Sequence, residues 1–305
     1  MNMNTAVENL MINIMKQKPI KIDRMNLGFI NMVYNVKLND NEVIVRINNN
    51  SEIFQGLEGN LNRLKEIGVP VPRLLYSDLS KDKYDFAYTI LEKIPGYDLR
   101  YEIENMSLDE MTDIAEKVVM YQKKVGRLFL GKGFGRCNIG ERGKYNSWTE
   151  VLDNELIKLK PNIDKVMDLK YSSKIVELFN NYKEYFNGIE SKCFLDDISL
   201  KNVIINNGKL QGFIDFDWVC YGDPLYNVAL VQTGTMLHLQ PKCMHYVKEL
   251  CREWKITDYE KIIIDFYSII YAADFLGFQL KRNNTGLISK LTDIIKVLLQ
   301  RIQQV

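Results

Sequence analysis

The rhythm of apolar and polar residues changes near residue 95. Before it, Pro19 to Met25, Met32 to Leu38 and Glu42 to Ile47 are short segments rich in Val and Ile, which predict strands. Asn39-Asp40-Asn41 forms a polar hairpin turn between the last two. Phe54, Leu57, Leu61, Leu64 and Ile67 then recur at helical spacing, and Gly68 ends the run. Val69-Pro70-Val71-Pro72 forces extended backbone, because a residue before proline is pushed out of the helical region. Two further strands, Leu74 to Ser77 and Phe86 to Leu91, lead to Pro95-Gly96, the expected boundary between two lobes, 1–95 and 96–305.

Beyond the boundary the pattern is helical. Ser107-Leu108-Asp109-Glu110 and Thr257-Asp258-Tyr259-Glu260 have the form of capping boxes, opening helices to about Gly126 and Arg282. A last helix is expected from Ile288 to Ile302, and a strand-like stretch from Cys193 to Asp217 interrupts the helices. The expected fold class is α+β, with a small β-rich lobe followed by a larger helical one.

Composition narrows the function classes. The chain has 305 residues, 46% hydrophobic and 26% charged, with a net charge of +1, so no strong field draws it to nucleic acid or an anionic membrane. Neither a signal-peptide pattern at Met1 to Met15 nor an apolar run of membrane-spanning length is expected. Five cysteines without a C-x-x-C pair suit free thiols in a reducing cytoplasm, and His238 and His245 stand apart from any metal-binding cluster.

The chemistry is concentrated in the interrupting stretch. In Leu195-Asp196-Asp197-Ile198-Ser199-Leu200-Lys201-Asn202, an Asp precedes an Asn by five residues, and a β-branched strand follows. In phosphoryl transfer, such a carboxylate accepts the proton of an attacking hydroxyl while the amide oxygen coordinates Mg²⁺. A turn at Asn206-Asn207-Gly208 and a second strand lead to Asp215, a further hard-oxygen ligand. A solvated turn is the competing reading of Asp197 and Asn202.

Asp197-x4-Asn202 together with Ile214-Asp215-Phe216-Asp217 and Gly222-Asp223-Pro224-Leu225-Tyr226 resembles the catalytic and metal-binding motifs of the aminoglycoside phosphotransferase and choline kinase families, relatives of the protein kinases. The resemblance implies a two-lobed protein-kinase-like fold, with ATP or GTP and Mg²⁺ as cofactors. It implies Asp197 as catalytic base and Asn202 and Asp215 as magnesium ligands. Asp217 has a possible part in holding the metal, and Asp223 caps a helix or braces the loop. Two positions depart from the pattern. Leu195 stands where the family has His, and Asn227 where relatives commonly carry Asp.

Upstream, Gly28 and Asn31 fall where the family has its phosphate-covering loop, and Arg46 where a cation contacts phosphates. Glu58 resembles the Glu that pairs with that cation. Backbone groups of Glu92 to Ile94 resemble the adenine-binding hinge. Gly133-Phe134-Gly135 and Ser147-Trp148 are further family-like marks, Trp148 reading as a packing aromatic.

The closeness of Gly222-Asp223-Pro224 to Asp215 leaves little room for a peptide platform, so the acceptor is expected to be a small-molecule alcohol. Tyr267, Tyr271, Asp274 and Gln279 could reach it; core packing for the tyrosines and solvated positions for the other two are the alternatives. An aminoglycoside, choline, a sugar or an amino alcohol stays open, as does a catalytically weak nucleotide-binding protein. No nucleic-acid or membrane partner is expected, and a monomer or dimer is.

Overall fold

The computed structural model describes residues 2–25 and 31–304. The chain divides into two compact units, Met1–Pro95 with Gln211–Trp218, and Gly96–Leu210 with Val219–Val305.

The first unit opens with helix α1 (Met3–Leu10) and a π-helical turn, Met11–Met15. Strands β1 (Lys21–Met25), β2 (Met32–Lys37) and β3 (Glu42–Asn48) follow. Helix α2 (Leu57–Glu66) then precedes β4 (Leu74–Asp78) and β5 (Ala87–Glu92). The five strands form one antiparallel sheet in the order β1-β2-β3-β5-β4. Alternation along β3 sends Val43, Val45 and Ile47 into a core shared with Ala6, Val7, Leu10, Tyr34, Val36 and Ile90. Arg46 takes the opposite face of the same strand, between Val33 and Thr89 of its neighbours. The apolar stripe expected to begin at Phe54 divides in two, a 3₁₀ turn over Ser51–Phe54 and then α2.

The second unit begins with β6 (Tyr97–Asp98), α3 (Leu99–Glu102) and α4 (Leu108–Val125). Next come β7 (Gly135–Cys137), α5 (Trp148–Asp164), α6 (Leu169–Asn181), α7 (Lys183–Asn187) and β8 (Lys192–Phe194). Strand β9 (Val203–Asn206) follows, then β10 (Lys209–Phe213), whose residues from Gln211 belong to the first unit, and β11 (Val219–Gly222). The chain ends in α8 (Leu225–His238), α9 (Met244–Trp254), α10 (Asp258–Lys281) and α11 (Thr285–Gln303). Both expected capping boxes form, Ser107 with Glu110 and Thr257 with Glu260.

α10 packs against α5, α8 and α11. By length and composition it could cross a membrane, contrary to the expectation from sequence, but 67% of that apolar stretch is buried, as in a core helix. β11 is the middle strand of β7-β11-β8, with Cys220 opposite both Arg136 and Phe194. This sheet fixes the strand from which the Asp197 loop departs. Gly96 has φ +126°, and a Cβ there would run into the Ile205 carbonyl, so the residue after Pro95 must be glycine.

Candidate active site

The loop carrying Asp197 is held by its backbone. Leaving β8, buried Leu195 accepts from Gln122 Nε2 at 2.8 Å and donates its N–H to Gln122 Oε1 at 3.0 Å. Asn227 accepts from Gln122 Nε2 at 3.2 Å and donates Nδ2 to the Asp196 carbonyl at 3.1 Å. Two side-chain amides thus support the loop. A carboxylate at 227 could not make the second donation, which is the physical reason for Asn there. The two departures from the family pattern answer one another.

Asp196 is buried and receives Arg136 Nε at 2.5 Å. The Asp197 side chain is 33% exposed, so its carboxylate is open to solvent. Its oxygens accept from Ser199 Oγ at 3.2 Å and lie 3.1 Å from Lys201 Nζ. A 3₁₀ turn, Leu200–Asn202, brings Asn202 Nδ2 within 2.7 Å of the Asp197 carbonyl. That bond occupies the amide nitrogen and leaves the amide oxygen, the atom able to ligate a cation.

Asp223 is a buried brace. It accepts from Tyr267 Oη at 2.8 Å, Tyr185 Oη at 3.0 Å and the Leu225 N–H at 3.0 Å. Burial pushes its carboxyl above the usual carboxylate range, while those three donors pull it back. Trp148 Nε1 donates to Tyr267 Oη at 2.8 Å, and the indole fills the space that a side chain on Gly222 would need. Tyr267, a candidate acceptor contact in the sequence, is therefore committed to the core.

In the first unit, Arg46 is buried and donates Nη1 to Asp217 Oδ1 at 2.8 Å and Nη2 to Asp217 Oδ2 at 2.5 Å. Nη2 also reaches Asp215 Oδ1 at 3.2 Å, and the guanidinium lies 5.3 Å from the Phe54 ring centroid. Burial works against the Arg46 cation, but Asp217 and Asp215 more than offset it and hold its pKa above the ordinary value. Asn31 Nδ2 contacts Asp217 Oδ2 at 3.4 Å, while Asn31 Oδ1 accepts from Asn48 Nδ2 at 2.7 Å. Asn60 Nδ2 donates to the Phe216 carbonyl at 3.1 Å.

These contacts correct one expectation. Glu58 is exposed on α2 and, among the described residues, makes no ion pair with Arg46; the helix turns Asn60 inward instead. Gly28 lies outside the described residues. In the expected hinge, the Glu92 N–H is given to the Arg73 carbonyl at 2.9 Å and the Lys93 N–H to the Glu42 carbonyl at 3.3 Å. Of the three residues, Ile94 alone keeps its N–H outside these bonds.

Asp215 has φ +73°, a left-handed conformation uncommon for a residue with a Cβ. Its side chain is 41% exposed. Strained backbone that aims a polar group outward is a recurrent property of functional positions. Among the described residues no group of three or more His, Cys, Asp or Glu is arranged for a cation. Asn202 in the second unit and Asp215 in the first each offer a hard oxygen of the kind magnesium prefers, and magnesium usually takes few protein ligands alongside water and phosphate. Two open depressions of the second unit contain none of the residues expected at the site. One, of about 380 Å³, is lined by Ser147, Asp153 and Lys183; the other, of about 350 Å³, by His238, Lys290 and Asp293.

Gln122, Arg136 and Asn60 were not singled out in the sequence. Gln122 and Asn60 sit on otherwise apolar helix faces, beside Val118 and Val119 and beside Leu57 and Leu64 respectively. A polar residue on an apolar stripe is the signal that could have found them.

The chain has a protein-kinase-like fold of the α+β class, and the comparisons with known proteins carry that conclusion. Residues 194–262 match the model of the phosphotransferase enzyme family. A thermostable mutant of aminoglycoside phosphotransferase APH(4)-Ia, in apo form, superposes with a TM-score of 0.75 at 15% identity, covering 96% of this chain and 98% of that one. A further-substituted variant of that mutant, in ternary complex with AMP-PNP and hygromycin B, gives 0.73 at 16% identity, covering 97% and 98%. The GDP and kanamycin complex of APH(2")-IIia gives 0.72 at 13% identity, covering 98% and 99%. No curated protein matches the chain by sequence.

Proposed function

We propose that the chain is a magnesium-dependent phosphotransferase that moves the γ-phosphate of ATP or GTP to a hydroxyl of a small molecule. The observation that carries this reading is the Asp197 loop, in which an accessible carboxylate rides on a backbone clamped by Gln122, Asn227 and Asn202. Preorganisation of that kind serves a proton acceptor, whereas a solvated turn has no use for it. The family match over 194–262 takes in Asp197, Asn202, Asp215 and Asp223, and the fold neighbours include complexes with AMP-PNP, ADP and GDP.

In the proposed reaction the acceptor hydroxyl gives its proton to an Asp197 carboxylate oxygen. The acceptor oxygen bonds to the γ-phosphorus, and the bond to the β–γ bridging oxygen breaks to release the nucleoside diphosphate. Magnesium held by Asn202 and Asp215 would neutralise phosphate charge. Asn31, Arg46 and Ile94 are the proposed nucleotide contacts of the first unit. Among acceptors, aminoglycosides have the support of the neighbours crystallised with hygromycin B and kanamycin. Choline, sugars and amino alcohols are the other classes. The five free cysteines fit a cytoplasmic setting.

The test is nucleotide-diphosphate release over a panel of aminoglycosides, choline, sugars and amino alcohols, repeated with Asp197→Asn and Asp197→Ala. Turnover should fall by about 10²–10⁴-fold in both variants with the thermal midpoint retained. Wild-type turnover in either variant would remove the base assignment. Nucleotide binding without any turnover would favour a binding protein.

A further inference from the structure

The net charge of +1 conceals an uneven distribution. Residues 123–144 leave the end of α4, form β7 and lead towards α5; they carry seven Lys or Arg and one acidic residue, Glu141. Lys123 and Arg136 have partners, the Glu253 carbonyl at 2.6 Å and Asp196, and Lys124 lies in the last turn of α4. The other four, Arg127, Lys132, Arg142 and Lys144, are exposed and, among the described residues, make no ion pair. Lysines of α5 and α6 are by contrast paired within their own helices, as Lys158 is with Glu155 and Lys174 with Glu177.

Among these cations stand two apolar side chains that the fold leaves in water. Phe129 and Leu130, consecutive in the connection between α4 and β7, are each 56% exposed. Their backbone is held in place. The Gly131 N–H donates to the Ser191 carbonyl at 2.7 Å, and the Gly140 N–H to Tyr221 Oη at 3.1 Å. Phe134 and Tyr145 exchange N–H···O bonds of 2.8 and 3.2 Å, which close the connections on either side of β7 against each other.

The patch is one surface. A side chain on Gly140 would lie 3.4 Å from the tip of the Phe129 ring, so the ring reaches the stretch that carries Arg142 and Lys144. Arg127 and Lys132 flank Phe129 and Leu130 in the chain. Two carboxylates border the patch: Glu141 accepts from Asn138 Nδ2 at 3.0 Å, and Glu190, beside Ser191, is paired with Lys192 at 2.6 Å. Four cations therefore surround an apolar centre with little to neutralise them.

One exposed apolar residue is ordinary, but an adjacent pair ringed by unpaired cations selects its occupant. A second copy of the chain would bring like charges together. Nucleic acid would satisfy the cations but give Leu130, which has no ring to stack, no apolar phase to enter. An anionic bilayer answers both demands, with head-group phosphates on the cations and the two side chains in the acyl boundary. We propose that this face of the second unit docks on an anionic membrane surface, with Phe129 and Leu130 inserted. The inference stands apart from the phosphotransferase reading.

The test is co-sedimentation of the full chain with vesicles of equal parts phosphatidylcholine and phosphatidylglycerol, beside vesicles of phosphatidylcholine alone. The chain should pellet with the first and not with the second. Raising salt from about 0.1 M to about 1 M shortens the Debye length from about 10 Å to about 3 Å and should weaken binding. Lys132→Gln, Arg142→Gln and Lys144→Gln combined should weaken it about a hundredfold, at roughly fivefold per cation. Phe129→Ser with Leu130→Ser should weaken it about tenfold or more and keep the thermal midpoint, because both side chains already stand in water. Should the serine pair lower the midpoint, the glutamine variant and Leu130→Ser alone carry the decision.

No binding to the anionic vesicles, equal binding to the neutral ones, or unchanged affinity in either variant overturns the proposal. So does capture by single-stranded DNA or poly-L-glutamate that matches vesicle binding and ignores the serine substitutions, which would assign the face to a nucleic acid or an acidic protein instead.

Discussion

Arg46 closes on Asp217 with both of its terminal nitrogens, at 2.8 Å and 2.5 Å, and neither side chain has more than slight access to water. A buried pair gains little over apolar residues of the same volume, but breaking it strands a charge. Asp217→Ala should therefore destabilise the chain by about 3–5 kcal/mol, read from urea denaturation. Arg46→Met combined with Asp217→Leu should recover most of that loss. A double variant no more stable than Asp217→Ala would contradict the desolvation argument.

The Gln122 clamp offers a second prediction. Gln122→Leu keeps the volume but leaves the Leu195 N–H, the Leu195 carbonyl and Asn227 Oδ1 without their partner. The expected cost is about 2–4 kcal/mol, with a fall in kcat and little change in nucleotide KM. Asn227→Asp should also destabilise, because a carboxylate oxygen would be turned toward the Asp196 carbonyl. Equal stability of that variant and the wild type would show that the loop is braced in another way.

Asp223 makes stability depend on pH in a defined direction. Burial raises its folded-state pKa above the value of 3.8 for a free Asp, so the native state keeps the proton over a range where the unfolded chain has lost it. Its contribution is full below pH 3.8 and is lost as pH rises through the folded value. Asp223→Asn has no such loss. Measured by denaturation at a series of pH values, the wild type should lose ground to the variant as pH rises from about 4. A constant difference would place the folded pKa at the ordinary value.

Metal dependence can be read without an acceptor. A nucleotide at one hundred times its Kd should stabilise the native state by about 2.7 kcal/mol, seen as a rise in Tm. Chelating magnesium with EDTA should remove most of that rise. Asn202→Ala and Asp215→Asn should remove the part that depends on magnesium while leaving the Tm of the protein alone within a few degrees. A nucleotide shift indifferent to EDTA would end the assignment of both ligands.

Local rules made much of the architecture legible. Ser107 with Glu110 and Thr257 with Glu260 announce their helices because a capping box is written within four residues, and both form. The β2–β3 hairpin follows from the polar turn that separates two apolar runs. Pairings set by tertiary contact were harder to read. Arg46 meets Asp217 across 171 positions of sequence, and nothing near Arg46 distinguishes that partner from Glu58. Helical periodicity would have helped: Leu57, Leu61 and Leu64 define the buried face of α2, on which Asn60 lies and Glu58 does not. The support of the Leu195 backbone was not legible in the sequence because its partner, Gln122, sits 73 positions upstream on another helix.

The first unit is stitched from Met1–Pro95 and the distant stretch Gln211–Trp218. The counter-ions of Arg46 and the backbone acceptors of Asn60 all arrive with that second piece. A ribosome that has released the first 95 residues has therefore delivered a buried cation with no anion to meet it. Vectorial synthesis cannot finish this sheet-bearing unit until residue 218 has emerged, so its maturation waits on most of the helical unit being made.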